Sequence, residues 1–358
     1  MVTMGQVAER AGVSQATVSF VLGGTADRLK ISQPTRERVM EAARELGYQR
    51  NQLARAMVTG KSRIVGVLTA PQSGENIINI LTGAMEATSQ NDYLLKVLHL
   101  SYNGIDEATI ARCLEWRLAG ALIVGLSEEA HQRLHDALRA NKIPLALIDN
   151  VPPAEWGVRI RSDDAQGLGQ VISHLTALGH RQIAYIGGSP GSLSAWREQS
   201  FRAALAEFGL SVPSHWIRRS SWRDQKIMED EVRTLFQESR GHLPTAVVCS
   251  ADTIALVVLR IARSLGLRLP ADLSVTGYSN GSLSEFVDPP LTTVDQAFSE
   301  MGRVAALQVI GFAESSNADN SDADSITLHR EIQIPTRLIV RGSTAPPYGV
   351  HEQGVILF

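Results

Sequence analysis

The chain has 358 residues, of which 44% are hydrophobic and 20% charged, and its formal net charge is −3. This composition is that of an ordinary globular protein with two or three domains, and it excludes a disordered or fibrous chain. No apolar run approaches the roughly 20 residues that a membrane span needs, and the N-terminus lacks the apolar core of a signal peptide. We therefore expect a cytoplasmic protein with no membrane partner.

The charge is distributed unevenly along the chain. Residues 1–62 carry nine Lys and Arg against five Asp and Glu, so this segment is positive and the remainder is negative. A basic N-terminal segment followed by an acidic remainder is expected when only the N-terminal module binds phosphates. The two cysteines, Cys113 and Cys249, lie far apart in apolar surroundings, so we expect buried thiols and neither a disulfide framework nor a metal site.

The first two predicted helices have clear start and stop signals. Thr3 is followed three residues later by Gln6, which is the pattern of a capping box. Gly12 supplies the turn after this helix, and Ser14 caps a second helix over residues 15–22. Two short helices joined by a turn that contains glycine form a helix-turn-helix, whose second helix lies in the DNA major groove.

A third helix follows, with Ser32 at its cap, Pro34 in its first turn and Gly47 just past its end. Together with the linker that follows, these helices closely resemble the DNA-binding headpiece of the lactose-repressor/galactose-repressor (LacI/GalR) family. The resemblance rests on VAERAGVSQATVS, TRERVMEAARELGY, NQLARAM and TGKSRIVGV. It implies a DNA-binding transcription regulator; the alternative is a generic three-helix module with no DNA role.

The outward residues of the second helix are the predicted base readers. Gln15 can form two hydrogen bonds with adenine, and Ala16 can contact a thymine methyl. Phe20 stands where the family usually has Arg, so we expect it to favour a thymine methyl or DNA shape, unless it packs inward. Arg28 and Lys30 are expected to add phosphate contacts. Side-chain hydroxyls and the backbone N–H groups at helix starts are suited to bind phosphates. The predicted DNA-binding residues of the headpiece are Met4, Ser14, Gln15, Ala16, Thr17, Ser19, Phe20, Ser32 and Thr35.

Residues 51–62 are predicted to form a hinge helix and linker. The resemblance implies that this segment folds on DNA, and that paired helices of a dimer insert apolar side chains into the minor groove. Met57 matches the inserted position, where Leu is usual, and a simple tether is the alternative. Asn51, Ala54, Arg55 and Met57 complete the predicted DNA-binding set.

From Ile64 onward, apolar β-rich runs alternate with helical patterns, which predicts an α/β core of doubly wound parallel sheets covered by helices on both faces. The predicted strands are 64–70, 94–100, 120–126, 144–149, 182–188, 245–250 and 273–278. The predicted helices are 76–91, 106–117, 128–140, 164–178, 193–208, 224–238 and 252–265.

The predicted strands and helices are too numerous for one sheet of ordinary size, so we expect two lobes. A break at 151–161 and another near 289–293 predict crossings between them, and the resemblance implies a third near 325–328 and a core like that of a periplasmic sugar-binding protein. The predicted domains are a headpiece (1–50), a linker (51–62) and a ligand-binding and dimerisation core (63–358). Its first lobe is about 63–160 with 293–326, and its second lobe is about 161–292 with 327–345.

Ligands of open α/β sheets bind beyond the carboxyl ends of the strands. Residue positions and the resemblance together predict a ligand set of Thr69, Gln72, Asp149, Ser189, Arg197, Trp222, Ala251, Ser279 and Gln296. Arg197 can fork onto hydroxyls or a carboxylate, and Trp222 can stack on a sugar face, although each residue could instead be structural. Ala251 and Ser279 stand where the family usually has polar side chains that hold sugar hydroxyls. Asp252 is expected to cap the helix that it opens.

The ligand is therefore expected to be a sugar or a sugar derivative, with a ligand of another class as the alternative. An enzyme on a doubly wound fold is a further hypothesis, but the glycines of 186–192 lack the dinucleotide-binding register, and no catalytic triad or metal-spaced histidine pair appears. We expect no enzyme activity, cofactor or metal. We expect a homodimer, or a higher assembly, that binds a double-stranded pseudo-palindromic operator, acts as a repressor and responds to a small effector in the cleft between the lobes.

Overall fold

The computed structural model describes residues 2–23, 26–27, 29–48, 62–70, 74–100, 105–126, 128–149, 156–189, 192–239, 241–315 and 330–347. The chain divides into two compact units, Met1–Ser62 and Arg63–Phe358. Several residues with predicted roles lie outside the described ranges: Arg28, Asn51, Ala54, Arg55, Met57 and Gln72.

The first unit contains the three predicted helices, α1 (Met4–Ala11), α2 (Gln15–Leu22) and α3 (Gln33–Glu45). Their core is formed by buried small and branched side chains, among them Val7, Val18 and Val39. The capping box at Thr3 and Gln6 is present, and Gly12 ends α1 in the left-handed conformation with a φ of 65°. The sequence therefore marks the boundaries of α1 correctly.

The caps of the next two helices differ from each other. The Ser14 side chain accepts a hydrogen bond from the Thr17 N–H at 3.1 Å, as predicted for an N-cap. Ser32 occupies the cap position of α3, but its side chain accepts no backbone N–H. Its hydroxyl instead lies 2.9 Å from the hydroxyl of Thr35, so Ser32 is the N-cap residue as predicted but does not make the side-chain capping bond.

The second unit begins with a lobe built on six parallel strands in the order β11-β5-β4-β3-β1-β2. Apolar side chains of α4 and α11 cover one face, and those of α5 and α6 cover the other. The strands are β1 (Ile64–Thr69), β2 (Leu94–His99), β3 (Gly120–Val124), β4 (Leu145–Ile148), β5 (Val158–Ser162) and β11 (Arg330–Ile334). The helices are α4 (Glu75–Gln90), α5 (Glu107–Glu115), α6 (Glu128–Ala140) and α11 (Phe298–Ser315).

The second lobe has four parallel strands in the order β7-β6-β8-β9. Two helices pack on each face, α7 with α8 and α9 with α10, which confirms the predicted doubly wound arrangement. The strands are β6 (Ile183–Gly187), β7 (Ile217–Arg219), β8 (Ala246–Cys249) and β9 (Ser274–Thr276). The helices are α7 (Asp164–Ala177), α8 (Ser192–Glu207), α9 (Gln225–Glu238) and α10 (Asp252–Ser264).

The lobes are joined at three crossings, and β10 (Thr293–Asp295) pairs there with β12 (Arg337–Ile339) in an antiparallel two-stranded sheet. Two predicted crossings lie at different positions. Because β5 pairs within the first sheet, the chain leaves that lobe after residue 162 and not within 151–161. Because β11 pairs with β5, the last crossing follows residue 334, and residues 330–334 belong to the first lobe.

Three further expectations concern the described residues. Cys113 and Cys249 are both free and buried, and burial raises the pKa of each thiol. Over the part of the chain that the structure describes, no three His, Cys, Asp or Glu side chains come together as a metal-binding group. In the same ranges, no helix has both the length and the apolar character that crossing a bilayer requires.

Candidate DNA-binding face and interlobe cleft

The helix α2 has one face in the core of the headpiece and the opposite face open to solvent. Val18 and Val21 are buried, whereas Gln15 and Ala16 are exposed and Phe20 is 41% exposed. Phe20 therefore lies outside the headpiece core, which removes the alternative that it packs inward as a core residue.

The remaining predicted headpiece contacts lie in or beside the three helices. Ser14 and Ser32 are exposed at the caps of α2 and α3. The other four residues, Met4, Thr17, Ser19 and Thr35, are half-buried, and Lys30 is exposed. Exposed hydroxyls and N–H groups at helix starts are suited to bind phosphates, so the predicted roles of these residues stay compatible with their positions.

In the core, the described ligand candidates lie at the carboxyl ends of strands in both lobes. Thr69 ends β1 and is buried, and Asp149 follows β4. Ser189, Trp222, Ala251 and Ser279 follow β6, β7, β8 and β9, while Gln296 follows β10 and Arg197 lies in α8. Their positions at or near strand ends bring together residues that are far apart in sequence, as an interlobe cleft requires.

A buried ion pair forms the floor of this cleft. Arg197 is 4% exposed, and its Nε lies 3.2 Å from Oδ2 of Asp164. Its Nη1 donates to the carbonyl of Ser250 at 3.2 Å, and its guanidinium stacks 4.5 Å from the centre of the Tyr278 ring. Burial opposes the charge of Arg197, but the combined effect of its acidic neighbours, of which Asp164 is the strongest, outweighs burial and raises the pKa of the guanidinium.

Asp164 connects this ion pair to the interlobe crossings. Its Oδ1 accepts from the hydroxyls of Ser162 at 2.9 Å and Tyr278 at 2.7 Å. The Ser162 hydroxyl in turn accepts from Nε2 of Gln296 at 2.9 Å, and Oε1 of Gln296 accepts from Ser279 at 3.2 Å. One continuous hydrogen-bonded network therefore joins the cleft floor to two of the crossings.

Asp149 has the properties of a ligand-binding acid. Its backbone adopts the left-handed conformation, with a φ of 63°, and its Oδ1 is buried with no hydrogen-bond partner among the described residues. Burial raises the pKa of its carboxyl, an effect that Arg197 opposes and Asp164 reinforces. Strained backbone and unsatisfied buried acceptors both concentrate at functional sites, because a ligand can supply the missing contacts.

Trp222 is half-buried above the cleft floor and fixed on two sides. Its Nε1 donates to the Ser250 hydroxyl at 3.3 Å. Its ring lies so close to Gly188 that a Cβ at that position would be 1.9 Å from the indole. Gly188 therefore permits the ring position that a stacking role for Trp222 would use.

Asp252 does not have the predicted role of a helix cap. The cap of α10 is Ala251, which makes no side-chain capping bond. The Asp252 carboxylate instead accepts from the Gly281 N–H at 2.7 Å, the Ser284 hydroxyl at 2.8 Å and the Thr293 hydroxyl. The prediction was wrong because these donors come from distant segments, and Asp252 holds the loop after β9 against a crossing.

The comparisons with known proteins agree with both parts of this site. Residues 3–51 match the family described as bacterial regulatory proteins, lacI family, and residues 172–344 match the periplasmic binding protein-like domain. The chain is 31% identical over 310 residues to the transcriptional repressor PurR of Vibrio cholerae, covering 85% of this chain and 89% of that protein. The chain belongs to the lacI family.

Other members of the lacI family match over almost the whole chain. The transcriptional repressor CytR of Escherichia coli is 29% identical, covering 96% of each chain. The regulator DegA of Bacillus subtilis is also 29% identical, covering 96% of this chain and 98% of that protein. The structure of a Lac repressor dimer bound to operator and the anti-inducer ONPF superimposes with a TM-score of 0.75 at 26% identity, covering 96% of this chain and 99% of that one.

Family membership decides between the hypotheses drawn from the sequence. These relatives are transcriptional regulators and not enzymes, so the doubly wound core is a regulatory domain. Three residues of this lacI-family cleft were not found from the sequence: Ser162, Asp164 and Tyr278. A local signal existed only for Asp164, which follows a strand and opens a helix, and nothing in the sequence connects it to Arg197.

Proposed function

We propose that this protein is a cytoplasmic repressor that binds a pseudo-palindromic operator as a homodimer and whose operator affinity is controlled by a small effector in the interlobe cleft. The observation that carries the proposal is the exposed face of α2, where Gln15, Ala16 and Phe20 stand clear of the headpiece core. Relatives over most of the chain are named repressors, which supports the sign of regulation.

Homodimer formation is supported by exposed apolar side chains in both lobes of the core. Ile78 and Met85 lie on one face of α4 and are 63% and 57% exposed. Leu94 lies on the edge strand β2, and Leu283 and Phe286 follow β9, and all three are exposed. Large apolar side chains left exposed on a monomer are candidates for an interface, and a two-fold dimer supplies two headpieces for two half-sites.

A sugar or sugar derivative is the proposed effector class. The cleft offers Trp222 as a stacking surface and Asp149 as an acceptor for paired hydroxyls. A member of another ligand class remains the alternative, because Ala251 supplies no polar side chain and the Ser279 hydroxyl already donates to Gln296.

The test is selection of binding sites from a random DNA library, followed by gel shifts at several salt concentrations. We expect a two-fold symmetric site and a log–log salt slope of about −0.9 per phosphate neutralised. Gln15→Ala should cost about 1–3 kcal/mol on that site and relax one base position. The matched control is Gln225→Ala. Gln225 is an exposed glutamine of the ligand-binding domain, outside the headpiece, so its replacement should leave the selected DNA site unchanged.

An asymmetric selected site, or affinity that does not change with salt, would contradict operator binding by this headpiece. If Gln15→Ala selects the same site as the parent with the same affinity, Gln15 does not read a base.

A further inference from the structure

An apolar groove lies on the surface of the second lobe, away from the interlobe cleft. It forms where the ends of α9 and α10 meet the loops that lead into β8 and β9. These loops precede their strands, whereas the ligand candidates follow theirs, so the groove and the cleft lie at opposite edges of the sheet. The cavity has a volume of about 320 Å³ and is lined by Arg233, Phe236, Gln237, Gly241, Leu243, Leu265 and Leu267.

The groove leaves large apolar side chains open to solvent. Leu243 is 38% exposed and Leu265 is 53% exposed, while Phe236 in the same lining is buried. Exposed apolar side chains that lie together are typical of binding surfaces. The groove therefore has the character of a docking site for an apolar segment.

The charged residue of the lining, Arg233, is available to an acidic group. Arg233 is exposed and makes no hydrogen bond or ion pair with another described residue. Glu229, one turn earlier in α9, is already paired with Arg260 at 2.6 Å, and Arg233 acts on it only through charge. An apolar occupant that carries one negative charge would fit this lining best.

The described part of the chain ends close to the groove. The N–H of Ala345 donates to the hydroxyl of Ser274, the first residue of β9, at 3.0 Å, and its carbonyl lies 2.9 Å from Nε2 of His180. Nδ1 of the same imidazole lies 2.9 Å from the hydroxyl of Thr245, two residues after Leu243. A single imidazole ring therefore separates Ala345 from the loop that lines the groove.

Residues 348–358 continue the sequence from this point and have the matching chemistry. They end in VILF (355–358), and their one formally charged residue is Glu352. A segment of this length extends up to about 36–40 Å, whereas neighbouring strands such as β8 and β9 are only about 4.8 Å apart, so it can reach the groove. The match to the periplasmic binding protein-like domain ends at residue 344, so the segment is an addition to that domain.

We propose that residues 348–358 dock into the groove of their own subunit, where the apolar side chains of 355–358 cover Leu243 and Leu265 and Glu352 faces Arg233. The same chain is favoured over a second copy because a segment attached beside its site has a high effective concentration for that site. The docked segment leaves the interlobe cleft open, since the groove lies at the other edge of the sheet. Neither operator nor effector takes part in this contact.

Disulfide trapping in the full-length protein tests the contact directly. The pair Leu243→Cys with Ile356→Cys should form a link within one chain on mild oxidation, and mass spectrometry of a digest identifies it. A mixture of isotope-labelled and unlabelled protein distinguishes this link from one between two chains. The native Cys113 and Cys249 are buried, so they do not compete.

The matched control pairs Phe208→Cys with Ile356→Cys. Phe208 is also an exposed apolar residue of the second lobe, but it follows α8, on the other face of the sheet. This pair should link far less than the pair at Leu243, because the proposed contact holds residues 355–358 on the face of α9 and α10.

Thermal unfolding gives a second, independent measurement. Deletion of residues 348–358 should lower the melting temperature by at least roughly 3 °C, the shift expected when one apolar side chain loses its burial in a domain of this size. Leu357→Asp, which keeps the segment but removes its apolar contact, should lower it as well. Gln353→Ser is the matched control within the segment and should leave the melting temperature unchanged.

Four results would overturn the proposal. A link that forms only between two chains would assign the groove to a second copy. Absence of a link at Leu243, or equal linking at Phe208, would show that the segment does not occupy the groove. A melting temperature that neither the deletion nor Leu357→Asp lowers would show that the segment buries no apolar surface.

Discussion

Replacement of Arg197 by methionine should destabilise the core severely. The guanidinium is almost fully buried, lies 3.2 Å from Asp164 and stacks on Tyr278. Methionine retains apolar volume but leaves Asp164 without its cation, and the charge of Asp164 also acts on the buried carboxyl of Asp149. Removal of one partner from a buried ion pair typically costs about 3–5 kcal/mol, because the remaining charge is uncompensated.

Thermal unfolding of the full-length protein measures this cost. At roughly 2–4 °C per kcal/mol for a domain of this size, the melting temperature of Arg197→Met should fall by roughly 6–20 °C. The double variant Arg197→Met with Asp164→Asn removes both charges and should recover part of the loss. A single variant that melts within 2 °C of the parent, or a double variant that melts below the single one, would refute the ion-pair argument.

Three further predictions address other parts of the molecule. Gly188→Ala would place a methyl group 1.9 Å from the Trp222 ring, so it should destabilise the second lobe by about 1–3 kcal/mol in thermal unfolding and weaken effector binding in calorimetry. Burial lowers the pKa of His131 and His180 to about 4. The folded state therefore binds fewer protons than the unfolded state between pH 6.5 and 4, and denaturant titrations should show stability complete above pH 6.5 and lost as the pH falls toward 4. Phe20→Arg should shift the preference of a neighbouring position in selected operators toward guanine.

Most of the core could be predicted from the sequence because fully buried parallel strands are continuous apolar runs. The strand β5 was missed for the opposite reason, since its sequence VRIRS alternates apolar and basic residues. Arg161 is nevertheless buried, and both Arg159 and Arg161 pair with Glu331 on the neighbouring strand β11. An ion pair between strands 170 residues apart leaves no periodic signal, so the lobe boundary at 151–161 was placed too early.

The cleft residues show the same limit. The rule that ligands bind at strand ends directs attention to Asp149, because it depends only on where an apolar run stops. The partner of Arg197 could not be found in this way, because Asp164 and Arg197 meet only when α7 and α8 pack together. The local pattern at Asp252 favoured a helix cap. In the structure its carboxylate instead accepts hydrogen bonds from the loop after β9 and from β10.

The distribution of apolar and polar contacts gives the core a physical basis for coupling effector to operator. Each hydrophobic cluster of the described core lies within one lobe or extends only to the crossings, so lobe rotation would not break an apolar core. The crossings are held by directional hydrogen bonds, such as those of Thr336 with Gln166 and Asp163. The same kind of bond joins Ser162 and Gln296 to Asp164 on the cleft floor. Under the proposed function, an effector that binds Asp149 beside the Arg197–Asp164 pair would contact the hydrogen-bonded network that reaches the crossings, and linkage requires that operator binding alters effector affinity by the same factor.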